Sequence, residues 1–251
     1  MRIKYIIPFP YDAGQDARTA QVPADLLGPN TVVECVPVRN AATIVDCYYE
    51  DLIFDMYITE AGVTAESEGF DAVIMDTVSD SGLYALRSRL TIPVIGPGMV
   101  SYLVGMLLGK RFSIITMWDQ WLHLYEKNLT TYNLWDHCAS IRAAGIQPDF
   151  ETLLTGKEDQ VFPRIAAVAR SAVEEDGADV ILLGSTTMHQ VAPYLAEHLP
   201  VPVINPGPVA IKITESLVQL GLSHSKVAFP SPTTLQDEKF FSLMDAPGTF
   251  E

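Results

Sequence analysis

Small hydroxyl residues follow two apolar runs of the chain, and their types and positions suit the binding of a negatively charged group. The run Val180–Leu183 leads through one glycine to Ser185 and Thr186, and the run at 73–75 leads to Thr77. A continuous apolar run rich in β-branched residues is typical of a buried parallel strand. Where such a strand passes into a helix, backbone N–H groups and the positive end of a dipole favour an anionic ligand. We therefore predict that these three hydroxyl residues bind substrate, although Ser and Thr also cap helices without binding anything.

Two titratable side chains near these hydroxyls are candidates for acid–base chemistry. His189 lies four residues after Ser185, and an imidazole has an unperturbed pKa of about 6.5. Asp80 lies three residues after Thr77 and offers a carboxylate base. Each has a plainer interpretation, a hydrogen-bonded histidine on a helix face for His189 and a helix cap for Asp80. We predict both as catalytic residues.

The two hydroxyl-bearing turns belong to an internal repeat. Residues 73–83, VIMDTVSDSGL, and 180–190, VILLGSTTMHQ, each indicate a strand, a turn and the start of a helix. A helix and another strand follow in each copy, and we predict that strand at 111–116 in the first copy and at 226–229 in the second. Two copies offset by about 108 residues indicate two similar lobes. The two turns would then meet in a cleft at the carboxyl ends of the parallel strands.

The alternation of strands and helices predicts an α/β fold with parallel sheets. By the logic of the repeat, residues 1–97 and 206–251 form the first lobe and residues 98–205 the second. We expect the active site in the cleft between the lobes. Phe9, Tyr11 and Trp118 are predicted to line it, although aromatic side chains in such positions are as often packing residues.

Composition and charge exclude several classes of function. The net charge of −15 at pH 7 argues against nucleic acid and anionic membranes as partners. The first residues lead straight into a predicted strand without a secretory signal, so we expect a cytoplasmic protein. The three cysteines, Cys35, Cys47 and Cys138, are far apart in sequence and odd in number, as expected for reduced thiols. Because neither metal-ligand spacing nor a phosphate-binding or dinucleotide-binding motif occurs, we predict no metal and no cofactor.

At the two turns the sequence resembles the aspartate/glutamate/hydantoin racemase superfamily, and most closely its hydantoin racemase branch. The matching segments are 77–83, TVSDSGL, and 184–188, GSTTM, and the similarity extends from Ile44 to Pro230. The resemblance implies two Rossmann-like lobes with parallel four-stranded sheets, related by a pseudo-two-fold axis. It also implies assembly into a homo-oligomer. Tyr48 matches a tyrosine of the family, so we predict it as a catalytic residue that donates a hydrogen bond to substrate.

The departures from the family pattern bear directly on mechanism. The branch carries one catalytic cysteine in each turn, and the matching residues here are Thr77 and Ser185. A thiol is readily tuned to a thiolate, whereas a hydroxyl is a far weaker acid. Racemisation by two thiols is therefore not expected. The family's Asn-Pro-Asn-Thr loop is matched by residues 7–10, IPFP, and the loss of both amides argues against hydantoin substrates.

These features predict an enzyme that forms a carbanion or enediolate next to a carboxylate or carbonyl of a small molecule, as an isomerase or as a lyase such as a decarboxylase. Stabilisation of developing negative charge requires no titrating group. Decarboxylation needs only one proton donor, for which His189 or a tyrosine is a candidate. A racemase in which His189 and Asp80 replace the thiols is a second hypothesis. The alternative is a small-molecule binding protein that kept the cleft and lost the chemistry.

Overall fold

Two parallel β-sheets form the framework of the protein. The computed structural model describes residues 1–10, 19–20, 22–41, 44–148, 156 and 158–242. Its strands are β1 (Arg2–Ile7), β2 (Val32–Pro37), β3 (Ala72–Met75), β4 (Val94–Ile95), β5 (Phe112–Thr116), β6 (Cys138–Ala143), β7 (Val180–Leu183) and β8 (Val203–Ile204). The strand order is β2-β1-β3-β4 in the first sheet and β6-β5-β7-β8 in the second. All the strand pairs are parallel, which confirms the predicted α/β class with two parallel four-stranded sheets.

From β2 to β8, an α-helix connects each strand to the next along the chain, and two further helices follow β8. The helices are α1 (Tyr48–Gly62), α2 (Leu83–Arg89), α3 (Pro97–Leu108), α4 (Leu122–Tyr132), α5 (Glu158–Glu174), α6 (Ala192–His198), α7 (Pro206–Gln219) and α8 (Asp237–Phe241). Helices cover both faces of each sheet, so the inner strands β3, β5 and β7 are buried along their whole length. This burial explains why their sequences are almost continuously apolar rather than alternating.

The repeat predicted from the sequence is present, but its copies begin at different points. In the first sheet β1 pairs with β3, with Ile6 opposite Met75, and in the second sheet β5 pairs with β7, with Ile115 opposite Leu183. The strand at 112–116 is therefore the counterpart of β1. It opens the second copy rather than closing the first.

The strand predicted at residues 226–229 is wrong, because this segment forms a turn. The ammonium group of Lys226 donates hydrogen bonds to the carbonyl oxygens of Arg87, Ser88 and Leu90 at the end of α2. Val227 is 95% exposed, so the apolar residue that suggested a strand has no sheet to pack on. A short apolar run does not distinguish a strand from a turn that lies against a helix end.

The helices α3 and α7 link the two halves of the molecule. The helix α3 packs on β5 and β7 of the second sheet, α7 packs on β3 of the first sheet, and the two helices pack against each other. The lobe boundaries at 97 and 206 stay a prediction. Within the described ranges, no helix is both long and apolar enough to cross a membrane.

Candidate active site

The two hydroxyl-bearing turns occupy equivalent positions at the ends of the central strands. The N–H of Asp76 donates to the carbonyl of Ile6 at 2.9 Å, and the N–H of Gly184 donates to the carbonyl of Ile115 at 2.8 Å. Because Ile6 and Ile115 are counterparts in the two sheets, Asp76 and Gly184 are counterparts as well. The hydroxyl of Thr186 donates to the carbonyl oxygen of Asp76 at 3.3 Å, so the turns are in direct contact.

A cavity of about 510 Å³, including its mouth, lies between these turns. Hydroxyl-bearing residues from both turns line it: Thr77, Ser79, Ser185, Thr186 and Thr187. Apolar side chains form much of the remaining wall: Phe9, Ile44, Val45, Phe54, Trp121 and Leu124. The ring centroids of Phe9 and Phe54 are 5.5 Å apart, and the indole N–H of Trp121 donates to the carbonyl of Ile44. The cavity therefore combines a few polar donors with apolar surface, as ligand sites commonly do.

Hydrogen bonds within the turns orient the hydroxyl groups. Ser185 caps the short helix at 186–191, because its hydroxyl accepts from the N–H of Thr187 at 3.3 Å. The hydroxyls of Ser185 and Thr187 are 2.8 Å apart, and their mutual bond uses one of the pair's two hydroxyl hydrogens. The other hydrogen of this pair can be donated to a ligand. The hydroxyl oxygen of Thr77 accepts from the N–H of Ser81 at 3.2 Å, which leaves its own hydrogen to donate.

Asp76, which was not among the residues predicted from the sequence, is a buried carboxylate at the cavity. It is only 2% exposed, and it lines the cavity directly before Thr77. The phenol of Tyr5 donates to the Asp76 Oδ1 atom at 2.9 Å. The sequence does contain a signal for Asp76. An acidic residue directly after a buried apolar strand stands where another apolar core residue would be expected.

Asp80 does not line this cavity. Its carboxylate accepts from the N–H groups of Gly98 and Met99 at the start of α3 and from the phenol of Tyr132. Burial raises the pKa of the Asp80 carboxyl to about 6, against the opposing effect of these three donors. The position favours the helix-capping interpretation over the catalytic one, which stays a prediction.

The phenol of Tyr125 is a second cavity residue that the sequence did not indicate. It donates to the carbonyl of Gly184 at 2.6 Å, and the hydroxyl of Thr116 lies 2.8 Å from it. Since the single phenolic hydrogen goes to Gly184, the Thr116 hydroxyl must be the donor in the second bond. Burial raises the pKa of Tyr125, so the phenol is neutral near pH 7 and acts as a donor.

Three further predicted site residues are, like Asp80, not among the residues that line the cavity. His189 is partly buried in the short helix at 186–191. Tyr48 is 67% exposed, and its ring packs edge-on against His123 with 5.0 Å between centroids. Trp118 packs edge-on against Trp121, which lines the cavity, whereas Trp118 is not among the lining residues. Tyr11 lies outside the described residues, so its predicted role is neither supported nor opposed.

The three cysteines also lie away from the cavity. Cys47 is exposed, whereas Cys35 and Cys138 are partly buried. Burial raises the pKa of both the Cys35 and the Cys138 thiol to about 11. Thiols with such values are almost fully protonated near pH 7 and are poor nucleophiles and bases. Among the residues with described positions, no cluster of His, Cys, Asp and Glu side chains could hold a metal ion.

Comparison with known proteins identifies the family. A model of the Asp/Glu/Hydantoin racemase family matches residues 17–214. A hydantoin racemase of Pseudomonas sp. (strain NS671) is 28% identical over 199 residues, which cover 79% of this chain and 78% of that protein. The structure of an allantoin racemase from Klebsiella pneumoniae superposes with a TM-score of 0.83 at 28% identity, covering 94% of this chain and 96% of the other.

More distant structures share the fold. An arylmalonate decarboxylase superposes with a TM-score of 0.60 at 19% identity, covering 87% of this chain and 92% of the other, a likeness that shows the fold alone. The relatives named as racemases indicate enzymatic activity of the racemase or isomerase type. By its matched length, its sheet topology and its site between two equivalent turns, this chain belongs to the Asp/Glu/Hydantoin racemase family.

Proposed function

We propose that this protein is an isomerase or decarboxylase that forms a carbanion or enediolate next to a carboxylate or carbonyl group, without cofactor and without a pair of thiols. The observation that carries the proposal is the cavity between the turns, where hydroxyl groups from both turns converge and no cysteine is present among the described lining residues. The family membership supports chemistry at a carbon next to a carbonyl group.

Hydroxyl donors can supply the main source of transition-state stabilisation in such a reaction. As a carbanion forms, negative charge moves onto the oxygen atoms of the neighbouring carboxylate or carbonyl. Fixed donors that meet this charge stabilise the transition state more than the ground state. Thr77 on the first turn and the Ser185–Thr187 pair on the second each have a hydroxyl hydrogen to donate, and internal hydrogen bonds hold the hydroxyl oxygens in place.

The apolar part of the cavity lining favours a substrate with an apolar or cyclic part. Phe9, Phe54 and Trp121 present aromatic surface there, beside the aliphatic side chains of the cavity. Aromatic surface binds planar and apolar groups but offers few hydrogen bonds to an amide. A small carboxylate or carbonyl compound with an apolar substituent therefore fits this site better than a ring rich in amides.

Proton NMR in deuterated water tests the proposal. The full-length protein is incubated with substituted malonates, unsaturated diacids, amino acids and hydantoins. We expect deuterium at a carbon next to a carboxylate or carbonyl, or a new product, with at least one member of the panel. Thr77→Val removes the free donor of the first turn, and the double variant Ser185→Ala, Thr187→Val removes that of the second, so both should slow that reaction.

Two results would overturn the proposal. If no compound exchanges or reacts while some of them raise the Tm, the protein binds small molecules without converting them. If turnover proceeds at an unchanged rate in both hydroxyl variants, the charge is stabilised elsewhere.

A further inference from the structure

The two turns differ at the position that directly precedes their hydroxyl residues. On the first turn this position is Asp76, and its counterpart on the second turn is Gly184, since each donates its N–H to the equivalent strand. An acidic residue therefore lines the cavity at this position of the first turn, and a glycine lines it at the same position of the second. The two copies of the repeat thus differ at equivalent positions of the site.

The second turn has no room for an acidic side chain at this position. A Cβ atom on Gly184 would lie 2.8 Å from the Tyr125 hydroxyl and 3.0 Å from the Cβ of Thr116. The space is filled by a neutral phenol that is already donating to the Gly184 carbonyl. Among the described residues of the second turn, those that line the cavity offer hydroxyl groups and no carboxylate or imidazole.

Asp76, by contrast, has the surroundings of a general base. It is buried at the cavity, so its carboxylate is shielded from bulk water. The phenol of Tyr5 fixes the orientation of the carboxylate through the bond to Oδ1. A base that is held in place next to the reacting carbon avoids reorganisation during proton transfer.

We propose that Asp76 is the proton-transfer residue of this site and that it acts on one face of the substrate. This inference rests on the function proposed above. The Asp76 carboxylate removes the proton from the carbon next to the carbonyl group, the C–H electron pair moves onto the carbonyl oxygen, and the hydroxyl groups of the turns stabilise that oxygen. The carboxylic acid so formed then returns the proton to carbon from the same side, which regenerates the carboxylate.

Proton transfer on one face of the substrate limits the reactions that this site can catalyse. Inversion of a stereocentre requires proton removal on one face and proton delivery on the other. A single base instead supports a proton shift along one face, as in migration of a double bond. In a decarboxylation the C–C bond breaks, carbon dioxide leaves, and Asp76 in its acid form delivers a proton to one face of the enediolate. The product is then a single enantiomer.

The test compares three variants of the full-length protein with a substrate found by the NMR panel. Asp76→Asn keeps the size of the side chain and an acceptor for Tyr5, and we expect it to lower turnover about 100-fold or more. Asp71→Asn is the matched control, because Asp71 is an exposed residue at the opposite end of the same strand. This control should leave turnover unchanged.

Tyr5→Phe separates positioning from catalysis. Removing a donor to the carboxylate disfavours its charged form and raises its pKa, so the limb of the pH–rate profile that Asp76 sets should move to higher pH. This is the acid limb where Asp76 acts as a base and the alkaline limb where it acts as an acid. A purely structural role for Tyr5 would lower the rate at every pH without moving this limb. Circular dichroism establishes that each variant is folded.

Chiral chromatography of the wild-type product is a measurement that needs no variant. We expect a single enantiomer, or deuterium exchange with retention of configuration. A racemic product, or an Asp76→Asn variant with wild-type turnover, would overturn the one-face proposal while the wider function stands. If the wild-type protein neither exchanges nor converts any compound of the panel, both the proposed function and this inference are wrong.

Discussion

The first turn, at 76–82, and the second turn, at 184–190, begin at equivalent points of two matching sheets, yet they are held in different ways. The first has the internal Thr77–Ser81 bond and is also braced by two helices: Asp80 accepts from the start of α3 and from Tyr132 of α4, and the amide of Asn128 donates to the carbonyl of Val78. The second is braced from within by the Ser185–Thr187 pair and from behind by Tyr125. A duplicated scaffold has thus kept its backbone positions while the two copies diverged in the groups that they present.

This difference indicates a division of labour between the turns. Both supply hydroxyl donors to the cavity, whereas the carboxylate of Asp76 is present on the first turn only. We infer that charge stabilisation is shared and that proton transfer is not. Loss of a hydroxyl donor should therefore slow turnover to a similar extent on either turn. Changes to the residues that hold each turn in place should affect stability in different ways.

Removal of the free hydroxyl donor from either turn should have the largest effect. Loss of one donor to a developing oxyanion typically costs about 10²–10³-fold in kcat, so Thr77→Val and the double variant Ser185→Ala, Thr187→Val should each slow turnover by about that factor. KM should change far less, since the donor acts mainly in the transition state. Steady-state kinetics on the substrate from the NMR panel measures both values. If kcat falls in the variant of one turn only, that turn alone stabilises the developing negative charge, and the proposal that both turns share this role is wrong.

The first turn should make stability depend on pH through the carboxyl group of Asp80. The pKa of the Asp80 carboxyl is about 6 in the folded protein, above the ordinary value of 3.8. The folded state therefore binds this proton more tightly than the unfolded state does. The resulting contribution to the free energy of unfolding is complete below pH 4 and is lost as the pH rises through 6. The difference corresponds to about 3 kcal/mol of unfolding free energy.

Urea unfolding from pH 4 to pH 7 measures this dependence. Wild-type protein should lose stability relative to Asp80→Asn over that range, since the variant has no proton to lose at this site. Asp71→Asn serves as the control and should follow the wild type. An unchanged pH dependence in Asp80→Asn would show that the carboxylate is ionised throughout and that its donors outweigh burial.

A methyl group added behind the second turn should have a smaller effect. Gly184→Ala places a Cβ against the Tyr125 hydroxyl, and overpacking of this kind costs about 1–3 kcal/mol of stability. In a Tyr125→Phe background the closest contact is gone, so the same substitution should cost less. A double-mutant cycle by chemical denaturation measures the coupling. Equal costs in both backgrounds would mean that Tyr125 does not fill this space.

The architecture followed from the sequence because it depends on local pattern. Buried strands produce continuous apolar runs, and the repeat indicates two lobes with equivalent turns, so the spacing of residues was enough to predict Thr77 and Ser185 at the cavity. The strand predicted at 226–229 failed for the opposite reason, because the contacts of Lys226 with the end of α2 join residues more than 130 positions apart.

The missed and misplaced site residues depend on contacts that spacing does not reveal. Tyr5 meets Asp76 across 71 positions, and Tyr125 reaches Gly184 across 59. The four-residue spacing of Ser185 and His189 would place both side chains on one face of an α-helix. The segment at 186–191 is a tighter 3₁₀ helix, in which four residues rotate a side chain about 120° past its starting direction.

The central claim, chemistry without thiols, is tested most directly by a cysteine-free protein. The measurement is the rate of deuterium incorporation or product formation, by proton NMR in deuterated water, for wild type and for the triple variant Cys35→Ala, Cys47→Ala and Cys138→Ala. Since none of these thiols lines the cavity, the triple variant should react within about twofold of the wild-type rate. Loss of the reaction in a folded triple variant would contradict the account and return the chemistry to a cysteine.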